Sequence, residues 1–171
     1  DNLALLSGES DIYMSGKNLY IARQTNKRNI SASSGGDYSY TTDIVKIPLS
    51  TRSLRVAAIG AIPGYIDNAF SLDEYKGRLR VVSTIPNDTA EYNAVFVLTP
   101  NLRIIGSVEN LAENEKVYSA RFNGDFCYFC TYRQIDPVFA VDVSRPRRPR
   151  VLDTLKISGF SDYLHFWEDD L

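Results

Sequence analysis

Short apolar segments separated by glycine, proline, asparagine and serine recur along the chain, most clearly at residues 18–22, 78–82 and 126–130. Strand-favouring residues dominate these segments, and the residues between them are typical of turns. Every residue of the segment 126–130 is apolar or aromatic, so both faces of the corresponding strand are apolar. Such a strand must be covered on both sides. The pattern therefore predicts an all-β protein built from stacked sheets.

The apolar segments belong to a tandem repeat of about 48 residues. Arg55, Arg103 and Arg150 each open an apolar segment, and they are 48 and 47 residues apart. Gly77 and Gly124, which each precede a segment of strand-favouring residues, are also 47 residues apart. A repeat of this length with short apolar segments predicts that each copy supplies four strands joined by turns.

Four-stranded units that repeat at this length and need cover on both faces are typical of β-propeller blades. We therefore predict an all-β, β-propeller-type fold of three consecutive four-stranded antiparallel blades, approximately 10–64, 65–112 and 117–159, with a strand of a fourth at 160–168. A parallel β-helix would have a shorter repeat, and an immunoglobulin-like sandwich would not repeat at this length. Residues 1–171 are interpreted as one partial propeller domain.

Three blades and one strand leave an open blade face and unpaired edges, because propellers close with about four to eight blades. We expect these surfaces to be covered by the remaining blades of a longer parent protein or by self-association through the open blade edges. The chain begins with Asp1 rather than methionine, which favours a processed or excised protein.

The first copy of the repeat has a much longer connection between its second and third strands than the other copies. This connection, residues 24–42, is rich in glycine and serine and contains Tyr38 and Tyr40. Glycine and serine provide flexibility, and tyrosine provides contact area for a ligand. The sequence predicts a loop here, either a recognition loop that uses the two tyrosines or a plain mobile loop.

The charge of the chain argues against nucleic acid as a partner, since the formal net charge is −2 and the pI is 5.4. The one basic cluster, Arg145, Arg147, Arg148 and Arg150, is interrupted by prolines and is interpreted as a solvated turn rather than a phosphate-binding patch. No apolar run has the length of a transmembrane segment.

The two cysteines, Cys127 and Cys130, have the spacing of a redox pair or half a zinc site. Their segment reads as a strand, however, and residues three apart in a strand point to opposite faces. We therefore predict two buried structural thiols, with neither a disulfide nor a shared metal.

Motifs for catalysis are absent, including the G-x-S-x-G elbow, phosphate loops, dinucleotide glycine motifs and HExxH. His165 is the sole histidine and lies between Leu164 and Phe166, which favours a packed, hydrogen-bonded role. Arg133 and Asp136 interrupt an apolar run at a connection that would reach one mouth of a propeller, where a turn-stabilising salt bridge or a ligand contact would both fit. The sequence predicts no catalytic residue, metal or cofactor.

Residues 118–165 resemble the secreted β-propeller family of archaeal and bacterial surface proteins. The most specific matches lie at 133–137 and 159–165. Two positions depart from the family pattern: Phe166 replaces a proline, and the turn before the last strand of the third copy is basic where the family turn is acidic. The resemblance implies an extracellular or cell-surface location within a longer exported protein, but it carries no defined biochemical activity.

These observations favour a non-catalytic interaction or scaffold module of a secreted or surface-anchored protein, which presents loops on a rigid propeller. The alternative is part of an extracellular enzyme, a polysaccharide-directed hydrolase or lyase, whose site is completed by blades outside this chain. A protein or a carbohydrate is the expected ligand. The candidate ligand-binding residues are Arg133, Asp136, Asp162, His165, Tyr38 and Tyr40.

Overall fold

The computed structural model describes residues 10–29, 37–50, 54–87, 89–132, 137–156 and 164 of the 171-residue chain, and for 27–29 and 37–39 it describes the backbone alone. The described residues form twelve strands and a 3₁₀ turn, η1 (Ala69–Ser71). The strands are β1 (Ser10–Met14), β2 (Asn18–Asn29), β3 (Asp37–Pro48), β4 (Ala58–Pro63), β5 (Leu72–Tyr75), β6 (Arg78–Pro86), β7 (Glu91–Leu98), β8 (Ile104–Leu111), β9 (Lys116–Asn123), β10 (Phe126–Tyr132), β11 (Pro137–Asp142) and β12 (Arg150–Lys156).

The strands pair in chain order into three four-stranded antiparallel sheets. The first sheet contains β1 to β4, the second β5 to β8 and the third β9 to β12. The prediction of an all-β fold with three four-stranded units is confirmed. One strand begins later than the arginine spacing predicts: β4 starts at Ala58 rather than Arg55, because its pairing with β3 begins opposite Lys46.

Tight turns join the first and second strands of the second and third sheets. Between β5 and β6 both turn residues, Lys76 and Gly77, have positive φ, at 50° and 75°. A two-residue turn of this kind matches the right-handed twist of a hairpin, and glycine adopts it without strain. Gly124, between β9 and β10, also has a positive φ of 52°. The repeated glycine of the sequence is therefore a hairpin-turn residue in these two sheets.

The sheets stack face to face and enclose two apolar cores. The first core, between the first and second sheets, contains Tyr20, Ala22, Ile44, Ile62, Ile66, Leu72, Leu79, Val81, Ala94, Phe96, Leu98 and Leu102. The second core, between the second and third sheets, contains Val82, Val95, Val97, Val117, Ala120, Cys127, Phe129, Phe139, Val141 and Val143. Full burial of an aliphatic or aromatic side chain contributes about 1.5–3 kcal/mol, so the two cores are the main source of stability.

Adjacent residues of the second sheet enter different cores. Val81 packs in the first core and its neighbour Val82 in the second, and both are fully buried. On β7, Phe96 belongs to the first core while Val95 and Val97 belong to the second. This confirms that the strands of this sheet are covered on both faces. We call the side of a sheet turned toward the preceding sheet its N-face, and the side turned toward the following sheet its C-face.

Polar side chains also join neighbouring sheets. Glu74 on β5 accepts hydrogen bonds from Ser15 Oγ at 2.5 Å and from Asn18 Nδ2 at 2.8 and 2.9 Å, which link the second sheet to the first. Arg80 on β6 forms a salt bridge with Asp73 and donates from Nη1 to the Gly124 carbonyl in the third sheet at 2.5 Å. A buried guanidinium with these partners is satisfied and fixes the lateral position of the third sheet.

The outer strand of one sheet packs closely on the turn before the outer strand of the next. A Cβ added at Gly60 of β4 would lie 2.3 Å from the Leu102 carbonyl oxygen, and one added at Gly106 of β8 would lie 2.2 Å from the Pro146 carbonyl oxygen. Pro146 belongs to the basic turn between β11 and β12. The turn prediction for this cluster is confirmed, since its arginines are exposed and Arg150 pairs with Asp142 at 3.2 Å.

The long connection of the first sheet differs from the predicted loop. β2 and β3 pair without interruption from Asn18↔Pro48 to Asn29↔Asp37, so residues 24–29 and 37–42 form an extended hairpin. The loop prediction is wrong for these residues because the threonines and tyrosines within the segment favour strands and continue the pairing. The side chains of Thr25 and Thr41 face each other across it, with hydroxyls 2.8 Å apart.

The predicted strand at 160–168 lies outside the described residues except for Leu164. Leu164 is buried and packs with Cys130 and Val138 on the C-face of the third sheet. Within the described part of the chain, no helix has the length and apolar character that crossing a membrane would require.

Candidate functional site

Most of the ligand-binding residues predicted from the sequence fall outside the described part of the chain. Arg133, Asp136, Asp162 and His165 are among them. Tyr38 lies in β3, where only its backbone is described, paired with Arg28. Tyr40 is half-buried and packs edge-on against Tyr65, with ring centroids 6.4 Å apart. Of the six candidates, Tyr40 alone has a side chain within the described part of the chain.

A polar cavity of about 460 Å³ opens beside Tyr40's strand, at the end of the first core. It is lined by Asp11, Gln24, Asn26, Ile66 and Asp67. We call it the hairpin cavity, because Gln24 and Asn26 belong to the extended β2–β3 hairpin. Asn26 pairs with Tyr40 across the hairpin, so the cavity and the tyrosine share one end of the first sheet.

The alternation of side chains between the two faces of a strand explains why these side chains converge. Tyr20 and Ala22 of β2 point into the first core, and the next alternate residues, Gln24 and Asn26, continue the same C-face beyond the core. Asp11 pairs with Ala22 and therefore lies on that face too. The C-face of the first sheet thus changes from apolar to polar where the second sheet no longer covers it.

The opposite wall of the hairpin cavity comes from the connection between the first and second sheets. Thr42 Oγ1 donates to the Gly64 carbonyl at 2.9 Å, and the Gly64 N–H donates to the Tyr40 carbonyl at 2.8 Å. These bonds hold the connection against β3. Ile66 is buried in the first core and forms the apolar floor, while Asp67 follows it at the rim. The wall is therefore fixed by one side-chain and one backbone hydrogen bond and by the core.

Two carboxyl groups face the hairpin cavity, and the pKa of each is raised. Burial raises the pKa of Asp11, which accepts no hydrogen bond from the described residues. Burial also raises the pKa of Asp67, with a hydrogen bond from Asn68 opposing it and the charge of Asp11 adding to it. Among the described residues, the lining includes no basic side chain, and these residues offer acceptors and amides to a ligand that carries hydroxyl groups.

A second, more apolar cavity of about 390 Å³ lies where the first strands of the three sheets converge. Ile12, Phe70 and Arg121 are among its lining residues. The Arg121 guanidinium lies 4.0 Å from the centroid of the Phe70 ring, and its Nη1 donates to the Ala120 carbonyl. Its arginine is already engaged and its walls are largely apolar, so this cavity offers fewer polar groups to a ligand than the hairpin cavity.

The cysteines do not form a reactive pair. Both are buried and neither forms a disulfide, and Cys127 packs in the second core whereas Cys130 packs on the opposite face with Leu164. Burial raises the pKa of the Cys127 thiol, which disfavours the nucleophilic thiolate. The prediction of buried structural thiols is confirmed. Within the described ranges, no three His, Cys, Asp or Glu side chains come together as a metal-binding group.

Sequence reasoning missed Asp11, Asn26 and Asp67 as candidate site residues. Asp11 and Asn26 could have been noted as polar residues that continue the core-facing alternation of β1 and β2. Asp67 follows Ile66 in a connection without periodicity, so no local pattern marks it. Gln24 was recognised as the start of the long connection, although not as part of a strand.

Comparison with known proteins supports the repeat architecture. A family model described as "Beta propeller domain" matches residues 1–171. An uncharacterised protein of Archaeoglobus fulgidus is 40% identical over 128 residues, which cover 74% of this chain and 20% of that protein. An uncharacterised protein of Methanocaldococcus jannaschii is 36% identical over 132 residues, which cover 75% of this chain and 21% of that protein. No solved structure matches the chain.

The chain spans about a fifth of the length of the curated relatives that it matches. The three stacked four-stranded antiparallel sheets and the family match over the whole chain lead to the same assignment. This chain belongs to the β-propeller domain family.

Proposed function

We propose that this chain is a non-catalytic interaction and scaffold module of a secreted or surface-anchored protein, and that the hairpin cavity binds a carbohydrate. The proposal rests on one observation: residues that line the cavity lie on a strand that also packs into the first core. Gln24 and Asn26 extend from the same strand that packs Tyr20 and Ala22 into the first core. A site on strands anchored by a buried core is preorganised, which reduces the entropy that binding must overcome.

The lining of the hairpin cavity supports a neutral sugar as the ligand. Carboxylates accept hydrogen bonds from sugar hydroxyls, and the side-chain amides of Gln24 and Asn26 both donate and accept. Ile66 offers an apolar surface to the carbon face of a sugar ring. An acidic glycan is disfavoured because Asp11 and Asp67 would repel it.

Calorimetric titration with neutral oligosaccharides tests this proposal. Asn26→Ala is expected to weaken binding at least about tenfold, or ~1.4 kcal/mol, because it removes groups that donate to and accept from the ligand. Asp11→Asn is expected to weaken binding as well, because a neutral amide replaces a charged acceptor oxygen. Asp153→Asn, at an exposed carboxyl of the third sheet, serves as the matched control and should leave the affinity unchanged. Absence of saturable binding by any neutral oligosaccharide would contradict the proposal, as would equal weakening by the control.

The secreted or surface location rests on the resemblance of residues 118–165 to archaeal and bacterial surface proteins. Protease treatment of intact native cells, followed by detection with an antibody against this chain, tests it. Loss of the protein from intact cells is the expected result. Full protection until the cells are lysed would contradict the surface location without bearing on sugar binding.

The carboxyl pair supports a second candidate function, a polysaccharide-directed hydrolase or lyase. A general acid needs a raised pKa, and burial raises the pKa of both Asp11 and Asp67. Incubation with the same oligosaccharides would then release new reducing ends or unsaturated products, and Asp67→Asn would abolish the release. Binding without any product favours the non-catalytic module.

A further inference from the structure

The loop of residues 87–90, which joins β6 to β7, carries an acceptor sequence for N-linked glycosylation. Asn87 is followed two positions later by Thr89, and the residue between them is an aspartate rather than a proline. Asparagine, then any residue except proline, then serine or threonine is the sequence that receives N-linked glycans in secreted proteins. Whether such a sequence is an acceptor depends on where its asparagine lies in the fold.

This loop lies at the tip of a hairpin, outside the packed faces of the second sheet. The last pair between β6 and β7 is Pro86↔Glu91, so residues 87–90 extend beyond the paired strands. Asn87 and Thr89 are both exposed. The two apolar cores lie against the faces of the sheet, whereas the loop lies at its end. A bulky group on Asn87 would therefore leave the stacking of the sheets undisturbed.

The side chain of Asn87 is held in place through its carboxamide oxygen. Asn87 Oδ1 accepts hydrogen bonds from the Thr89 N–H at 3.0 Å, from Thr89 Oγ1 at 3.2 Å and from the Ala90 N–H at 2.9 Å. The Asn87 N–H donates to the Ala90 carbonyl at 2.8 Å. Such bonds from an asparagine side chain to the backbone that follows it form a compact turn. The carboxamide oxygen is thus committed to the turn.

The nitrogen of the same carboxamide is left for chemistry. Asn87 Nδ2 donates to no acceptor among the described residues, and the asparagine is exposed. The hydroxyl that the acceptor sequence requires, Thr89 Oγ1, lies 3.2 Å from the oxygen of the same carboxamide. A transferase that recognises the asparagine amide and the threonine hydroxyl together would find them side by side in the folded chain.

Other asparagines of the chain do not combine these features. Asn93 is fully buried and donates to three carbonyls, and Asn18 donates to Glu74. Neither is followed by a hydroxyl residue two positions later. A second acceptor sequence begins at Asn29, of which the structure describes only the backbone. Asn87 is therefore the acceptor that the described residues support.

We propose that Asn87 carries an N-linked oligosaccharide, an inference that rests on the secreted or surface location proposed above. The donor is an oligosaccharide linked to a lipid phosphate, and the catalyst is a separate oligosaccharyltransferase. The bond between sugar C1 and the phosphate oxygen breaks, and the lipid phosphate leaves with the electron pair. Asn87 Nδ2 forms the new bond to C1 and gives up one proton to a base of the transferase.

Mass spectrometry of the protein purified from its own cells tests the site. The expected result is a peptide containing Asn87 whose mass is raised by that of an oligosaccharide and which releases sugar fragments. An unmodified Asn87 would overturn the proposal, and protease treatment of intact cells then shows separately whether the surface location also fails. Sugar binding by the hairpin cavity is measured on the unmodified chain and does not depend on this result.

Three variants separate the acceptor chemistry from the folding of the loop. Asn87→Asp keeps an oxygen that can accept the hydrogen bonds of the turn but lacks the amide nitrogen, so modification should be lost. Thr89→Val keeps the N–H donor and removes only the hydroxyl, and modification should fall to background. Thr89→Ser retains the hydroxyl and should remain modified. Circular dichroism should show the same fold for all three.

An assay with purified components tests the folded loop independently of export. The folded chain is incubated with an oligosaccharyltransferase and a lipid-linked oligosaccharide, and a shift in gel mobility is expected that Asn87→Asp abolishes. Three results would overturn the proposal: a shift that appears only after the chain is denatured, a shift that survives Thr89→Val, and a glycan that maps to residues 29–31 alone.

Discussion

Asn18 of the first sheet donates its side-chain amide to both carboxylate oxygens of Glu74 in the second sheet, at 2.9 and 2.8 Å. Burial alone would raise the pKa of Glu74, but hydrogen bonds from Ser15, Asn18 and Tyr20 outweigh it and hold the pKa below its ordinary value. The carboxylate is therefore stabilised in its charged form at the junction of two sheets. This junction is a point where stability depends on pH.

Glu74→Gln is expected to destabilise the protein at neutral pH by about 1–2 kcal/mol. The loss is modest because the carboxylate is partly exposed and water screens its interactions. The substitution places an N–H group where Asn18 donates. Because the folded state lowers the pKa of Glu74, its stabilisation is present above the ordinary glutamate value of about 4.3 and is lost as pH falls through the lower folded value. Urea unfolding across this acidic range should show a steeper loss for wild type than for the variant.

Glu113→Gln is the matched control for this prediction. Glu113 is exposed and accepts only a long hydrogen bond, 3.3 Å, from Tyr92 among the contacts described. Its substitution should change stability by less than about 0.5 kcal/mol and leave the acid profile unchanged. Parallel acid profiles for wild type and Glu74→Gln would contradict the assigned role of Glu74.

Gly106→Ala should destabilise the protein by about 1–3 kcal/mol, because the new methyl group would overlap the backbone of Pro146 and Arg147 in the next sheet. The backbone of a turn cannot give way as a flexible side chain can. Gly16→Ala is the control, since nothing lies within 4 Å of the added carbon. Equal changes in Tm for the two variants would show that β8 does not pack closely against the turn before β12.

Both cysteines should resist a water-soluble thiol reagent in the native protein and react fully after denaturation. Cys127 and Cys130 are buried in separate clusters, and burial raises the pKa of the Cys127 thiol. Cys127→Ser is expected to lower the free energy of unfolding by about 1–3 kcal/mol, because a hydroxyl would enter an apolar core. Rapid labelling of either thiol under native conditions would be inconsistent with this packing.

Replacing residues 27–39 with Asn-Gly should preserve the fold, with stability within about 1 kcal/mol of wild type. The outermost pair between β3 and β4 is Thr41↔Pro63, so beyond it the hairpin consists of two strands only. A longer replacement, of residues 25–41, removes that pair and the Thr25–Thr41 contact and should destabilise more. Chemical denaturation of both variants measures the free energy of unfolding. Equal losses of stability would show that the pairing at Thr41 does not mark the end of the stabilising part of the hairpin.

The period of the repeat could be predicted because it depends on local residue types. Glycines mark the hairpin turns, and consecutive apolar residues such as Val81 and Val82 imply cover on both sides of a strand. The split of Cys127 and Cys130 between two faces follows from the same two-residue period. The extended hairpin was harder to predict, because glycine and serine in residues 31–36 signal a turn without showing where the flanking strands end.

The sequence by itself determined the all-β class, the four-stranded unit and the two-sided burial of its strands, since each depends on residues close together in the chain. Only the tertiary structure decided that Asp11 and Asp67 face one cavity and that Gly106 meets Pro146. Such contacts join residues tens of positions apart, and they depend on how stacked sheets are placed relative to one another. That placement is set by side-chain packing over two whole cores, which no local pattern encodes.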